Sequence, residues 1–215
     1  MADVVKNLFG IPKLDGLIGE VPRGSNIMLS APPLGVGETL VKNFVQTGVL
    51  NDEGVIYVST KKSGEKIMEW FEESIGGLRV IDCTSRLTPE KVENVGYVPS
   101  LGDLTRIGVH ITNFLKELWK DRGMRNIRFC FDSISMLLMY TDIRAVFRFL
   151  HVFLGKISSI EGISLIVVDR GMHEAEVSML LQLVEGLLEV KKEGTTNFVR
   201  FQGFGRDTDW QELEL

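Results

Sequence analysis

Residues Asn26 to Leu50 read NIMLSAPPLGVGETLVKNFVQTGVL. An apolar run, Asn26–Ala31, has the length and composition of a buried strand. A turn-forming stretch follows, and then apolar residues recur at helical spacing to about Leu50. Strand, loop and helix in this order are the setting of the phosphate-binding pattern GxxxxGK[ST]. Laid on residues 32–39, the pattern fits in part. Gly35, Gly37 and Thr39 stand where small, close-approach and hydroxyl residues belong. Pro32 replaces the first glycine, and Glu38 replaces the lysine.

That last exchange decides what the loop can hold. Leu34, Gly35, Val36, Gly37, Glu38, Thr39 and Leu40 form the candidate nucleotide-binding turn. Its backbone N–H groups and helix N-terminus supply only partial positive charge. The lysine is the one fixed cation of the pattern, and a glutamate has the wrong sign. At ~4 Å and an effective dielectric near 20, a unit-charge pair is worth roughly 4 kcal/mol. Micromolar binding amounts to only about 8 kcal/mol. The loop as written is expected to bind ATP poorly unless another cation compensates or Glu38 turns away.

The 215 residues carry a formal net charge of −5. That length suits a single domain over residues 1–215, and that charge argues against a nucleic-acid partner. No apolar run is long enough for a membrane span. The N-terminus MADVVKNLFG lacks a signal-peptide core, so a soluble, cytoplasmic protein is expected. Cys83 and Cys130 fall in strand patterns and read as buried free thiols. The three histidines share no ligand spacing with them.

The remaining chain alternates strands with helices. Residues 8–25 form a turn-rich lead-in. Further strands are expected at 54–60, 78–84, 126–131 and 163–169, with helices at about 64–75, 103–122, 142–160 and 175–185. Ser100 and Asp103 stand at capping-box spacing. Residues 85–102 show no period. Strands at 187–191 and 198–204 read as a hairpin around Glu193-Gly194, and the acidic tail RDTDWQELEL as lightly held. Such alternation gives an α/β fold with a mainly parallel sheet covered on both faces. Ligands of such sheets bind at the carboxyl ends of the strands. The 32–39 loop, Lys61-Lys62 and Asp132 all occupy such ends.

On these residues the chain resembles the RecA/KaiC-like ATPase family, particularly the archaeal KaiC-like proteins. GIPKLDGLIGEVPRGSNIMLSAPP is similar to that family's opening segment, G-[IV]-P-x-L-D-x-L-[LI]-G followed by a turn, R-G-S, strand and loop. FCFDSISMLLMY resembles its Walker B strand, and RFLHVFLGKI and GMHE resemble further segments. The resemblance implies a three-layer RecA-like domain with a C-terminal β-hairpin. It also implies a second departure. The family's second strand usually ends in a motif like V-T-F-E-E-S, whose glutamates include the group that polarises the attacking water. Here the segment is Val58-Ser59-Thr60-Lys61-Lys62-Ser63. The lysine has become Glu38, and the glutamates have become Lys61 and Lys62.

Two losses of this kind point to an inactivated ATPase, a pseudoenzyme with a degenerate Walker A loop and no catalytic residues. It would be a regulatory or scaffold module in signal transduction. Its partners would be proteins: itself as a homo-oligomer, or an active RecA/KaiC-like relative. No cofactor is then required. The alternative is a weak ATP-binding protein or ATPase with a displaced lysine, such as Lys42. In that case ATP or ADP binds with Mg²⁺, and Thr39 and Asp132 hold the metal. Asp132 also reads as a helix cap at the strand end. Lys61 and Lys62 read either as solvated lysines or as partners of Glu38 across the crevice.

Overall fold

The computed structural model describes residues 4–71, 75–85 and 92–215. Val4–Val5 (β1) and Val21–Pro22 (β2) pair antiparallel, with helix Pro12–Ile18 (α1) between them. Asn26–Ala31 (β3) leads into Val36–Leu50 (α2), and Gly54–Ser59 (β4) into Gly64–Glu69 (α3). Leu78–Asp82 (β5) and Val95–Tyr97 (β6) precede Leu104–Leu115 (α4), which continues as a wider π-type turn over Lys116–Asp121. Ile127–Asp132 (β7), Ile134–Leu138 (α5), Ile143–Ser158 (α6), Ile163–Asp169 (β8) and Glu174–Leu181 (α7) follow. Gly186–Glu193 (β9), Thr196–Gly203 (β10), Arg206–Asp207 (β11) and Gln211–Leu213 (β12) close the chain.

Among the described residues one sheet runs in the order β11-β10-β9-β3-β8-β7-β4-β5-β6, with β12 also on β10. The strands from β9 to β6 are parallel, and β10 returns antiparallel to β9. Successive residues of the buried strands feed opposite faces. Val55 and Tyr57 join the layer of α1, α2 and the hairpin, while Ile56 and Val58 join the layer of α4 to α7. This is the three-layer α/β architecture, with its parallel centre and C-terminal hairpin.

The differences from expectation lie in short or edge elements. The lead-in holds α1, which Pro12 at its first turn starts and Gly19, at φ 77°, stops. The segment read as irregular holds β6, a three-residue edge strand too short for a pattern; residues 86–91 lie outside the description. α3 ends at Glu69, and the expected continuation over 72–74 lies outside the described residues. Helix α4 begins one residue past Asp103, whose carboxylate accepts from Arg106 N, so Asp103 rather than Ser100 is the cap. His110 is half-buried against β6: a Cβ on Gly96 would lie 2.4 Å from its Nδ1. The acidic tail is packed, not loose. β12 pairs with Asn197–Val199, Leu213 is buried, and Trp210 lies among Arg170, Lys191 and Arg200. Both cysteines are buried and free, and no described helix is long and apolar enough to cross a membrane.

A buried charge joins the lead-in to the sheet. Arg128 of β7 points under α2, pairs with Glu53, and donates to the carbonyls of Asn7, Leu8 and Phe44. Gly48 leaves room for it: a Cβ there would lie 2.7 Å from Arg128 Cδ. Asp15 completes the clasp by accepting from the amides of Leu8, Phe9 and Ile11 at 2.8–3.0 Å. Removing one member of such a pair strands the other in low dielectric. Arg128→Met should therefore cost about 3–5 kcal/mol in urea unfolding. Arg23 Nη2 also lies 3.6 Å from Glu53 Oε1, so Arg128→Met combined with Glu53→Leu should cost less than the sum of the two single changes. A double variant as unstable as the sum of the singles would contradict the pairing.

Candidate functional site

Parallel pairing sets the carboxyl ends of β3, β8, β7 and β4 side by side. Ala31 is in register with Asp169, and Ser59 with Asp132, while β8 runs on past the end of β7, whose Phe131 pairs with Ile166. The 32–39 loop leaves β3 here. Gly35 takes φ 100°, a left-handed value that disfavours side chains, and its carbonyl accepts from Glu38 N at 3.1 Å. Gly37 is pressed to the sheet end, where a Cβ would meet the Ala31 Cβ at 2.9 Å. The turn thus keeps the close approach its glycines encode. Leu34 is exposed at the tip, Val36 and Leu40 are buried beneath, and Thr39 faces solvent.

The charges of the crevice are paired. Lys62 Nζ lies 3.2 Å from Glu38 Oε1, and Lys61 Nζ lies 2.9 Å from Asp169 Oδ1. Lys62 also sits over the Trp70 ring, 5.5 Å from its centroid, as does Lys42. Ser59 fixes the turn that aims the two lysines, donating from Oγ to the Lys62 carbonyl at 2.7 Å. Between the pairs remains a void of about 30 Å³, lined in part by Pro32, Gly37, Glu38, Lys61, Lys62, Asp132 and Asp169. That is space for a water molecule or two. On the far side of Lys61 lies an open cleft of about 430 Å³ bounded by Thr60, Cys83, Ser100 and Tyr140.

Asp132 is buried and is not a helix cap. The Tyr57 hydroxyl donates to its Oδ2, and its own carbonyl accepts from Thr60 Oγ1. Thr60 Oγ1 in turn accepts from Ser133 N at 2.6 Å, so β4 and β7 are stitched together at their ends. Thr39 shares no hydrogen bond with Asp132 and does not line the void. Among the described residues no cluster of three or more His, Cys, Asp or Glu side chains is placed to hold a metal. Three of these positions escape sequence reasoning. Asp169 carries a usable signal, since it ends a strand of the same sheet. Tyr57 lies inside an apolar run, and Trp70 looks like any core aromatic of its helix.

The site's net sign is unfavourable to phosphate. Glu38, Asp132 and Asp169 face Lys61 and Lys62, three carboxylates against two ammoniums. Burial raises the Asp132 pKa, opposed by the Tyr57 hydrogen bond and by Lys61, and reinforced by Asp169 and Glu38. The folded protein therefore binds this proton more tightly than the unfolded chain. Stability from this group is greatest at low pH and declines as pH rises from its ordinary value of 3.8 through the raised one. Urea unfolding of wild type and Asp132→Asn across that window should show the wild type losing ground to the variant as pH rises. A constant gap would contradict the raised pKa.

Known proteins share this fold. The KaiC-like protein PH0186 from the hyperthermophilic archaeon Pyrococcus horikoshii superposes with a TM-score of 0.71 at 15% identity, over 99% of this chain and 94% of that one. The uncharacterized protein PH0321 from the same organism, solved in complex with an unknown peptide, gives a TM-score of 0.71 at 12% identity, over 96% and 99%. Identities this low establish the RecA/KaiC-like fold alone. No curated protein matches the chain. The family of unknown function DUF7504 matches residues 24–190.

Proposed function

The chain belongs to DUF7504, and from that premise and its RecA/KaiC-like fold we propose a protein that has given up ATP hydrolysis and acts through protein partners. In this reading the 32–39 loop is a degenerate Walker A turn retained as architecture. The partner is a second copy or an active RecA/KaiC-like relative, and the role is regulatory or scaffolding in the cytoplasm. The observation that carries the reading is the pair of cross-crevice ion pairs, Glu38–Lys62 and Lys61–Asp169, around a void of about 30 Å³. Both pairs are partly exposed, so each is worth only ~0–1 kcal/mol in itself. Their effect is through sign. A triphosphate that captured both lysines would leave three carboxylates facing it with no further cation in the lining. The peptide bound to PH0321 supports, by analogy of fold, a role in which a polypeptide is the ligand.

The alternative, a weak ATP-binding protein or ATPase, needs a displaced lysine. Lys61 and Lys62 are the cations at hand, and each already holds a carboxylate; Lys42 lies on Trp70. The two readings separate in a thermal-shift titration with ATP·Mg²⁺ and ADP. Any ligand that binds only the native state raises the melting temperature with its occupancy. Wild type should show no shift. The double variant Glu38→Lys/Lys62→Glu, which restores the usual polarity of the site, should show one. A saturable wild-type shift, or ATP turnover lost on Asp132→Asn, would overturn the proposal in favour of the alternative.

A further inference from the structure

Away from the crevice, α4 and α6 pack side by side and leave an open groove of about 410 Å³. Its floor is Gly108, Phe149 and Phe153, and its walls include Leu104 and Val109. Gly108 makes the groove possible, because a Cβ there would meet the Phe153 ring at 2.7 Å. No charged side chain lines it. Val109 is 52% exposed, and Val152, beside Phe153 on α6, is 49% exposed. Thr105, Thr112 and Asn113 complete the lining, and with the exposed Val109 and Val152 the groove offers apolar surface between polar edges for another molecule to cover.

The charges around the groove say which kind. Helix α6, Ile143–Ser158, carries Arg144, Arg148, His151 and Lys156 and no carboxylate, in a chain whose net charge is −5. Lys156 Nζ lies 4.8 Å from the Phe153 ring centroid, at the edge of the groove. Lys116 comes one helical turn after Thr112 of the opposite wall. Among the described residues Lys116, Arg148 and Lys156 are exposed and form no ion pair. A two-fold dimer with its axis beside α6 would set the basic face of that helix against itself. The twelve residues of α4 span about 18 Å, enough for three turns of a helix.

We propose that the α4–α6 groove docks an acidic amphipathic helix of a partner protein. Apolar side chains at i, i+3 or i+4 and i+7 would lie over Gly108, Phe149 and Phe153, and flanking carboxylates would meet Lys116, Arg148 and Lys156. The proposal rests on the partner-binding reading above, but its test does not involve the crevice. A fluorescein-labelled synthetic helical peptide with leucines at that spacing and glutamates between them serves as the probe, read by fluorescence anisotropy on the full chain. Wild type should bind it saturably at low salt and more weakly at high salt. Val109→Asp, and separately Arg148→Glu/Lys156→Glu, should each bind about tenfold more weakly, with melting temperatures reporting that both fold. A peptide with lysine in place of glutamate should not bind. Absence of binding to wild type, equal binding by the variants, or equal binding of the lysine peptide would overturn the proposal. So would a concentration-dependent dimer that Val109→Asp abolishes, because it assigns the groove to a second copy. A wild-type thermal shift with ATP would instead strike the functional reading and leave the groove's result standing.

Discussion

The lysines at the end of β4 reach across the sheet because of where the strand order puts them. β4 and β3 are three strand spacings apart, ~14 Å, with β7 and β8 between them. Lys61 spans part of that distance and stops at Asp169 on β8, while Lys62 meets Glu38 in the first turn of α2. Neither pair would form in a site with the usual charges. A lysine at position 38 would face Lys62 with like sign, and glutamates at 61 and 62 would face Asp169 and Asp132. The changes at the two motifs are therefore mutually consistent. Together the pairs leave a void of about 30 Å³ at the strand ends, where sheets of this kind ordinarily take a ligand.

The rest of the site is scaffolding for that arrangement. Tyr57, Thr60 and Ser133 tie the ends of β4 and β7 through Asp132, which keeps the lysine-bearing turn at a fixed height above the sheet. Ser59 sets the turn's direction. Deeper, Arg128 and Glu53 anchor α2 and the lead-in from below.

Much of this was legible in the sequence. The bounds of β3, the end of α2 and all of β8 follow from apolar runs and helical spacing, and the charge exchange is visible as soon as residues 38, 61 and 62 are set against the motifs. What was not legible has physical causes. β6 is three residues long and α5 five, too short for any period to show. The tail reads as acidic and loose because pairing with β10 and the Trp210 cation cluster are long-range contacts that composition does not carry. Arg128 and Glu53 look like surface charges until β7 is placed under α2. Asp169 was within reach, as a carboxylate ending a strand that leads into the same crevice.

In the function proposed above, the ion pairs Glu38–Lys62 and Lys61–Asp169 close the crevice to nucleotide. The most direct test of that closure is a titration of ¹⁵N-labelled protein with ATP·Mg²⁺, followed through the backbone amides of Gly35, Gly37, Glu38 and Thr39. These resonances are expected to stay where they are at ligand levels that saturate an ordinary nucleotide site. Saturable shifts confined to these amides and those of Lys61 and Lys62 would show the pairs opening to admit phosphate, and would contradict that closure.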